Sequence, residues 1–141
     1  MHPRLRAVAA GSLAALVWGA LEPLDRRIFR HDYSDIAVLG KALTQGPAWR
    51  PLGFAIHALN GAIFGAVYYE IARRVSRDPR RLALELALLE HATLFPLGTL
   101  VDRYHPARGE PGVPPLLTNP RAFAQATWRH TVFGVVLGRL L

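Results

Sequence analysis

The sequence predicts an all-α integral membrane protein, a four-helix transmembrane bundle. Hydrophobic residues make up 51% of the 141 positions, and they fall into four blocks separated by arginine-rich connections. Each block has roughly the 20 residues that a helix needs to cross a hydrocarbon core of about 30 Å. A chain of this length forms one domain, so we expect a single transmembrane unit over residues 1–141.

The four predicted transmembrane helices cover residues 7–24, 52–72, 82–101 and 122–141. Two of them follow a capping residue and a proline, at Asp78-Pro79 and at Asn119-Pro120. The side chain of the first residue satisfies free amides, and proline suits the first helical turn because it has no amide hydrogen. The first block follows a basic N-terminal segment, as the apolar part of a secretory signal does, but it lacks the small-residue motif at which such signals are cleaved. We therefore expect it to be retained as the first helix.

The connections predict an orientation. The link between the second and third helices carries five arginines within nine residues, Arg73, Arg74, Arg77, Arg80 and Arg81. Short arginine-rich loops stay on the cytoplasmic side, so we expect both termini in the cytoplasm and the chain in the cell membrane.

The first outer loop contains a short helix signal. Ser34-Asp35 precedes Ile36, Leu39 and Leu43, a spacing that places the apolar side chains on one side of a helix. We therefore predict a short interfacial helix over residues 35–44, lying at the level of the lipid headgroups.

Small residues recur at intervals of four in three of the predicted helices. The first helix carries Ala7, Gly11, Ala15 and Gly19, the second Gly61 and Gly65, and the fourth Gly134 and Gly138. Such faces let helix backbones approach closely in lipid. Two alternatives follow, packing within one chain or the interface of a homo-oligomer.

Several polar residues fall within the hydrophobic blocks. A charge at the centre of a membrane helix costs about 2.5 to 3.5 kcal/mol, so these side chains should face the bundle interior. The candidates for this polar core are His57, Asn60, Glu90, His91, Arg129 and His130. We expect Glu90 to pair with Arg129 in the core, and Glu85 to pair with Arg139 near the inner end.

Pro96 interrupts the third helix beside His91. Proline removes one helical hydrogen bond and bends the chain. Broken helices occur around transport sites, and they also occur as ordinary packing features.

Composition excludes several classes of function. The net charge of +7 comes from 16 arginines and Lys41 against 10 acidic residues, and the charges fall mainly at the ends of apolar blocks. This placement suits anionic lipid headgroups, so we expect the bilayer as a partner and no nucleic acid. Cysteine is absent from the sequence, which excludes disulfides and thiolate chemistry.

Three functions are compatible with these features. The leading hypothesis is an accessory or assembly component of a membrane complex, with a membrane-protein partner or a second copy of the chain. The alternative is a small-solute or proton pathway in which Glu90, His91 and His130 exchange protons. A haem- or metal-binding redox protein is the third, although no cofactor is predicted because the histidines lack diagnostic spacing. No hydrolase motif occurs, so we lean against an enzyme.

Overall fold

The structure is a computed structural model that describes residues 2–141, and this part of the chain is helical. Its helices are α1 (Pro3–Ile28), α2 (Asp35–Leu43), α3 (Trp49–Ala72), α4 (Pro79–Leu94), α5 (Gly98–Tyr104) and α6 (Pro120–Leu140). A single 3₁₀ turn, Phe95–Leu97, joins α4 to α5. Within the described residues, β structure is limited to one isolated bridge between Tyr33 and Gly112. The predicted all-α class is therefore confirmed.

Three helical segments are long and apolar enough to cross a membrane, Pro3–Ile28, Trp49–Ala72 and Pro79–Tyr104. This finding agrees with a membrane protein. Helix α6 has 21 residues but is not among the three, because Gln125, Arg129 and His130 lower its hydropathy. The fourth transmembrane helix therefore stays a prediction.

The start signals of α4 and α6 act as their residue types predict. The Asp78 carboxylate accepts a hydrogen bond from the Arg81 amide, and the Asn119 side chain accepts from the amides of Arg121 and Ala122. Pro96 lies in the 3₁₀ turn, so the expected interruption is present. Helix α1 runs four residues beyond the predicted 7–24 at each end, through Pro23 to Ile28. This extension brings Asp25 inside the helix, on the same side as Glu22.

The helices form two close pairs. Helix α1 packs along α3, α4 packs along α6, and the pairs meet where α1 contacts α6. Helix α2 lies against α3, while α3 and α4 scarcely contact each other. The order around the bundle is therefore α3, α1, α6, α4, with an open side between α3 and α4.

Small residues bring the backbones of each pair into contact. A Cβ added at Gly61 would lie 2.3 Å from the carbonyl oxygen of Gly11, and one at Gly65 would lie 2.1 Å from that of Ala7. On the other pair, a Cβ at Gly134 would lie 2.8 Å from the Cα of Leu84. The small-residue faces are thus used inside the chain.

The connection between α5 and α6 packs against the loop between α1 and α2. The Gly112 amide donates to the Asp32 carboxylate, and its carbonyl accepts from the Ser34 amide. Lys41 Nζ lies 3.0 Å from Glu110 Oε2. These contacts hold the α1–α2 and α5–α6 connections together over one end of the bundle.

Replacing Gly61 with Ala should lower the free energy of unfolding by about 1–3 kcal/mol, because the methyl group would overlap the α1 backbone. The measurement is SDS-induced unfolding of the detergent-solubilised protein. Gly46→Ala is the matched control, since the nearest atom to its new methyl group is Thr44 Oγ1 at 3.5 Å. Equal stability of Gly61→Ala and wild type would contradict the close α1–α3 contact.

Candidate functional site

Arg129 lies on the inner face of α6 and is 1% exposed. Its Nε and Nη2 donate to the two oxygens of Asp25 at 2.7 Å each, and Nη1 donates to Asp35 Oδ2 at 2.7 Å. The Nη2 group also donates to the carbonyl of Tyr33. One guanidinium thus joins α6 to α1, to α2 and to the loop between them.

Other buried side chains complete this ion cluster. Gln125 Nε2 donates to Asp25 Oδ1 at 2.6 Å. Glu22 Oε1 lies 3.7 Å from Arg129 Nη1, while the other Glu22 oxygen accepts from the Ser34 hydroxyl. Ser34 is also the N-cap of α2, because its hydroxyl oxygen accepts from the Ala37 amide. The cap and the ion cluster therefore depend on each other.

Charge and burial together set the protonation of Asp35 and Tyr33 in the cluster. Burial opposes ionisation of Asp35, but the charge of Arg129 acts together with the hydrogen bonds from Arg129 and Tyr33 and holds the pKa of this carboxyl below its usual range. Burial raises the pKa of the Tyr33 hydroxyl well above its usual range. Tyr33 therefore stays protonated and donates to Asp35 Oδ1 at 2.5 Å.

The expected pair between Glu90 and Arg129 is wrong. Arg129 pairs with Asp25 and Asp35. Helix α1 continues past Pro23 and thereby places Asp25 beside Arg129 of α6. The first transmembrane helix was expected to end at Leu24, near Pro23. Asp25 and Asp35 were therefore not predicted as partners of Arg129. The three-residue spacing of Glu22 and Asp25, which places both on one helical face, was the available signal.

The expected pair between Glu85 and Arg139 is also wrong. Glu85 accepts from Arg81 Nε at 2.9 Å and from Arg77 Nη1 at 2.7 Å. Arg81 is four residues away on the same helix, so this pair forms locally with little ordering of the chain. Glu85 and its partners are exposed or half-buried at the arginine-rich end of α4.

A cavity of about 310 Å³ lies beside the ion cluster, among α1, α2, α3, α4 and α6. Five of the six predicted polar-core residues line it, His57, Asn60, Glu90, His91 and His130. Arg129, the sixth, lies behind the wall that Tyr33 and Asp35 form. The structure therefore divides the predicted core into a cavity and a separate ion cluster.

Two imidazoles contact Trp18, and the third imidazole contacts one of these two. The Trp18 ring centroid lies 4.6 Å from that of His57 and 4.7 Å from that of His130, and His130 lies 4.9 Å from His91. His130 Nδ1 is 2.8 Å from the Ala126 carbonyl oxygen, a contact in which Nδ1 donates. Its Nε2 then faces Glu90 Oε2 at 3.8 Å.

The tautomer of His91 follows from its partner. His91 Nε2 lies 2.9 Å from the Thr127 hydroxyl oxygen. That hydroxyl donates its own hydrogen to the Phe123 carbonyl, so it accepts from His91. The imidazole of His91 is therefore held in place by α6.

Two buried polar atoms in the cavity wall lack a hydrogen-bond partner among the described residues, Trp18 Nε1 and His57 Nε2. Both side chains are less than a tenth exposed. Buried polar groups without a protein partner are commonly satisfied by water or a ligand.

The cavity adjoins the open side of the bundle. A second space of about 590 Å³ lies between α3 and α4, and it shares Asn60, Phe64, Glu90 and Leu94 with the first. The rest of its wall is mainly apolar and includes Ile63, Val67, Leu86 and Leu89. We call this space the α3–α4 cleft.

The geometry gives no support to a metal centre. In residues 2–141, no group of three or more His, Asp or Glu side chains is placed to hold a metal ion. The rings of His91 and His130 are also in contact, so no porphyrin plane fits between them. The haem or metal alternative stays a prediction from the residue types alone.

Comparison with protein-family models gives no match, and comparisons with curated proteins and with solved structures also give none. Functional inference for this chain therefore depends on the geometry of its cavity and its ion cluster.

Replacing Arg129 with Gln should lower the free energy of unfolding by about 3–5 kcal/mol, because Asp25 and Asp35 would remain buried without a counter-charge. Arg139→Gln, an exposed position on the same helix, should change it little. SDS-induced unfolding of the purified variants measures both. A similar loss in the two variants would show that the ion cluster has no special role in stability.

Proposed function

We propose that this protein binds a small amphipathic molecule inside the membrane, and that the molecule reaches its cavity through the α3–α4 cleft. The observation that carries the proposal is a mainly apolar cavity with a few polar groups, which adjoins an apolar cleft on the open side of the bundle. Cavities of about 300–1,000 Å³ with few polar groups are typical of small-molecule sites. The small-solute pathway is thus the hypothesis that the geometry favours.

The proposal includes α6 as a fourth transmembrane helix. Its polar residues Gln125 and Arg129 are buried inside, whereas Phe123, Trp128 and Val135 are exposed on its outer face. A helix of this kind suits lipid because its charge is paired within the protein.

The proposed orientation places both termini in the cytoplasm, because the exposed Arg73, Arg74 and Arg77 cluster in the short α3–α4 connection. Helix α2 then lies at the outer interface. Its residues Ile36 and Ala37 are buried against the bundle, while Leu43 is exposed.

An assembly role remains a prediction. The small-residue faces, for which a homo-oligomer interface was one of two alternatives, are occupied by contacts within the chain. A partner that copurifies in fixed stoichiometry would support that role independently of the cavity.

A narrowed opening should weaken binding. Trp18 is the tryptophan in the cavity wall, so a Trp49→Phe, Trp128→Phe protein in lipid nanodiscs reports on the cavity by its fluorescence. We expect a saturable change with 4-phenylbutanol, and at least tenfold weaker binding in Asn60→Phe. Asn60 lines both the cavity and the cleft, whereas the adjacent Leu59 lines neither and is exposed, which makes Leu59→Phe the matched control.

The proposal fails if neither 4-phenylbutanol nor its amine and carboxylate counterparts cause a saturable change. It also fails if Asn60→Phe and Leu59→Phe bind equally well.

Transport is a separate step that liposome flux can measure. If the bound solute crosses the bundle, His91→Ala should abolish its flux while the SDS unfolding midpoint shows a folded protein, because His91 lines the cavity and is held by Thr127. Flux equal to that of protein-free liposomes in the wild type would exclude a pathway and leave a binding protein.

A further inference from the structure

We infer that the ligand of the cavity carries a protonated amine on an apolar body, and that Glu90 is its counter-ion. The inference rests on the proposed function and names the chemical class of the molecule. It follows from the charges that face the cavity, from its aromatic wall and from the direction in which it opens.

Glu90 is a carboxylate without a full counter-charge. It lies at the junction of the cavity and the cleft, with its side chain 37% exposed. Among the described residues, the imidazole of His130 is the one basic group within 4 Å, at 3.8 Å. A carboxylate at membrane depth is costly unless an opposite charge approaches it. A cationic ligand would supply that charge.

Asp35, the other acid that lines the cavity, is already compensated. Arg129 Nη1 and the Tyr33 hydroxyl each donate to one of its two oxygens. The negative charge of Asp35 is therefore already balanced within the ion cluster. Glu90 is left as the acceptor for a ligand.

The wall of the cavity is favourable to a cation. Five aromatic rings line it, those of Trp18, Tyr33, Phe64, Phe95 and Phe133. The negative faces of aromatic rings attract cations, and the attraction is stronger where water is excluded. Within the described part of the chain, neither Lys nor Arg lines the cavity, so no fixed cation repels an amine.

The cleft accounts for the apolar body of the ligand. From Glu90 it continues past Leu89, Leu86 and Ile63 toward the side of the bundle. An amphipathic amine held by Glu90 would place its hydrocarbon part along these residues. The same opening faces the lipid, where such amines partition, so the ligand need not pass the outer loops.

The test compares three probes that share one body and differ in the head group, 4-phenylbutylamine, 4-phenylbutanol and 4-phenylbutyrate. They are titrated at neutral pH into the full-length protein with Trp18 as its sole tryptophan, in nanodiscs, with empty nanodiscs as the blank. We expect the amine to bind at least tenfold more tightly than the alcohol. A charge-assisted hydrogen bond of about 1.5–3 kcal/mol corresponds to roughly a ten- to hundredfold difference.

Glu90→Gln should remove the preference for the amine, so that the amine binds no more tightly than the alcohol in this variant. Glu90→Asp keeps the charge and should retain the preference, which also guards against a fold that fails in the first variant. Glu85→Gln is the matched control, because Glu85 lies on the same helix and is bound to Arg77 and Arg81.

The possible results separate the inference from the proposed function. Equal affinity for amine and alcohol, or an amine preference that survives in Glu90→Gln, overturns the inference while cavity binding stands. Tightest binding of the carboxylate also overturns it, because protonated imidazoles would then set the preference. If none of the three probes binds, the proposed function itself fails.

Discussion

A buried guanidinium cannot remain without counter-charges, and this constraint on Arg129 organises the molecule. Asp25 and Asp35 meet it from two different helices, and the carbonyl of Tyr33 meets it from the loop between them. Removing two charges from water is costly, so the gain depends on several hydrogen bonds of good geometry. The cluster therefore fixes where α1, α2 and α6 lie relative to one another.

The cavity is a consequence of that arrangement. The ion cluster holds Tyr33 and the start of α2 over one end of the bundle, and glycine contacts hold α1 to α3. Helix α4 is held by α6, with little contact to α3. Space therefore remains between the two pairs, and the imidazoles and Glu90 line it. Charge pairing and cavity formation are two results of the same packing.

Much of the fold could be predicted because lipid solvent imposes simple patterns. The apolar blocks predicted the long helices. Asp78 and Asn119 predicted where two of these helices begin, because a capping side chain before proline acts on the adjacent amides. The partners of Arg129 could not be predicted in this way. They depend on how far α1 continues through Pro23 and on how the loop between α1 and α2 folds back, which are properties of tertiary packing.

The candidate site was predicted in part for the same reason. Polar residues within apolar helices must face inward, so the residues that line the cavity were found by type. Which of them meet depends on helix rotation, and a helix turns about 100° per residue. The tilt and order of the helices, which leave α3 and α4 apart, have no local signal in the sequence.

The scarcity of contacts between α3 and α4 also bears on how such a chain can change over generations. At Gly61 or Gly134 almost any new side chain would collide with a backbone. At Ile63 and Leu89, which are 56% and 58% exposed, side chains of other sizes have room. Substitutions at these positions can change the shape of the α3–α4 cleft without disturbing the helix packing. The same fold can therefore come to bind different molecules without losing stability.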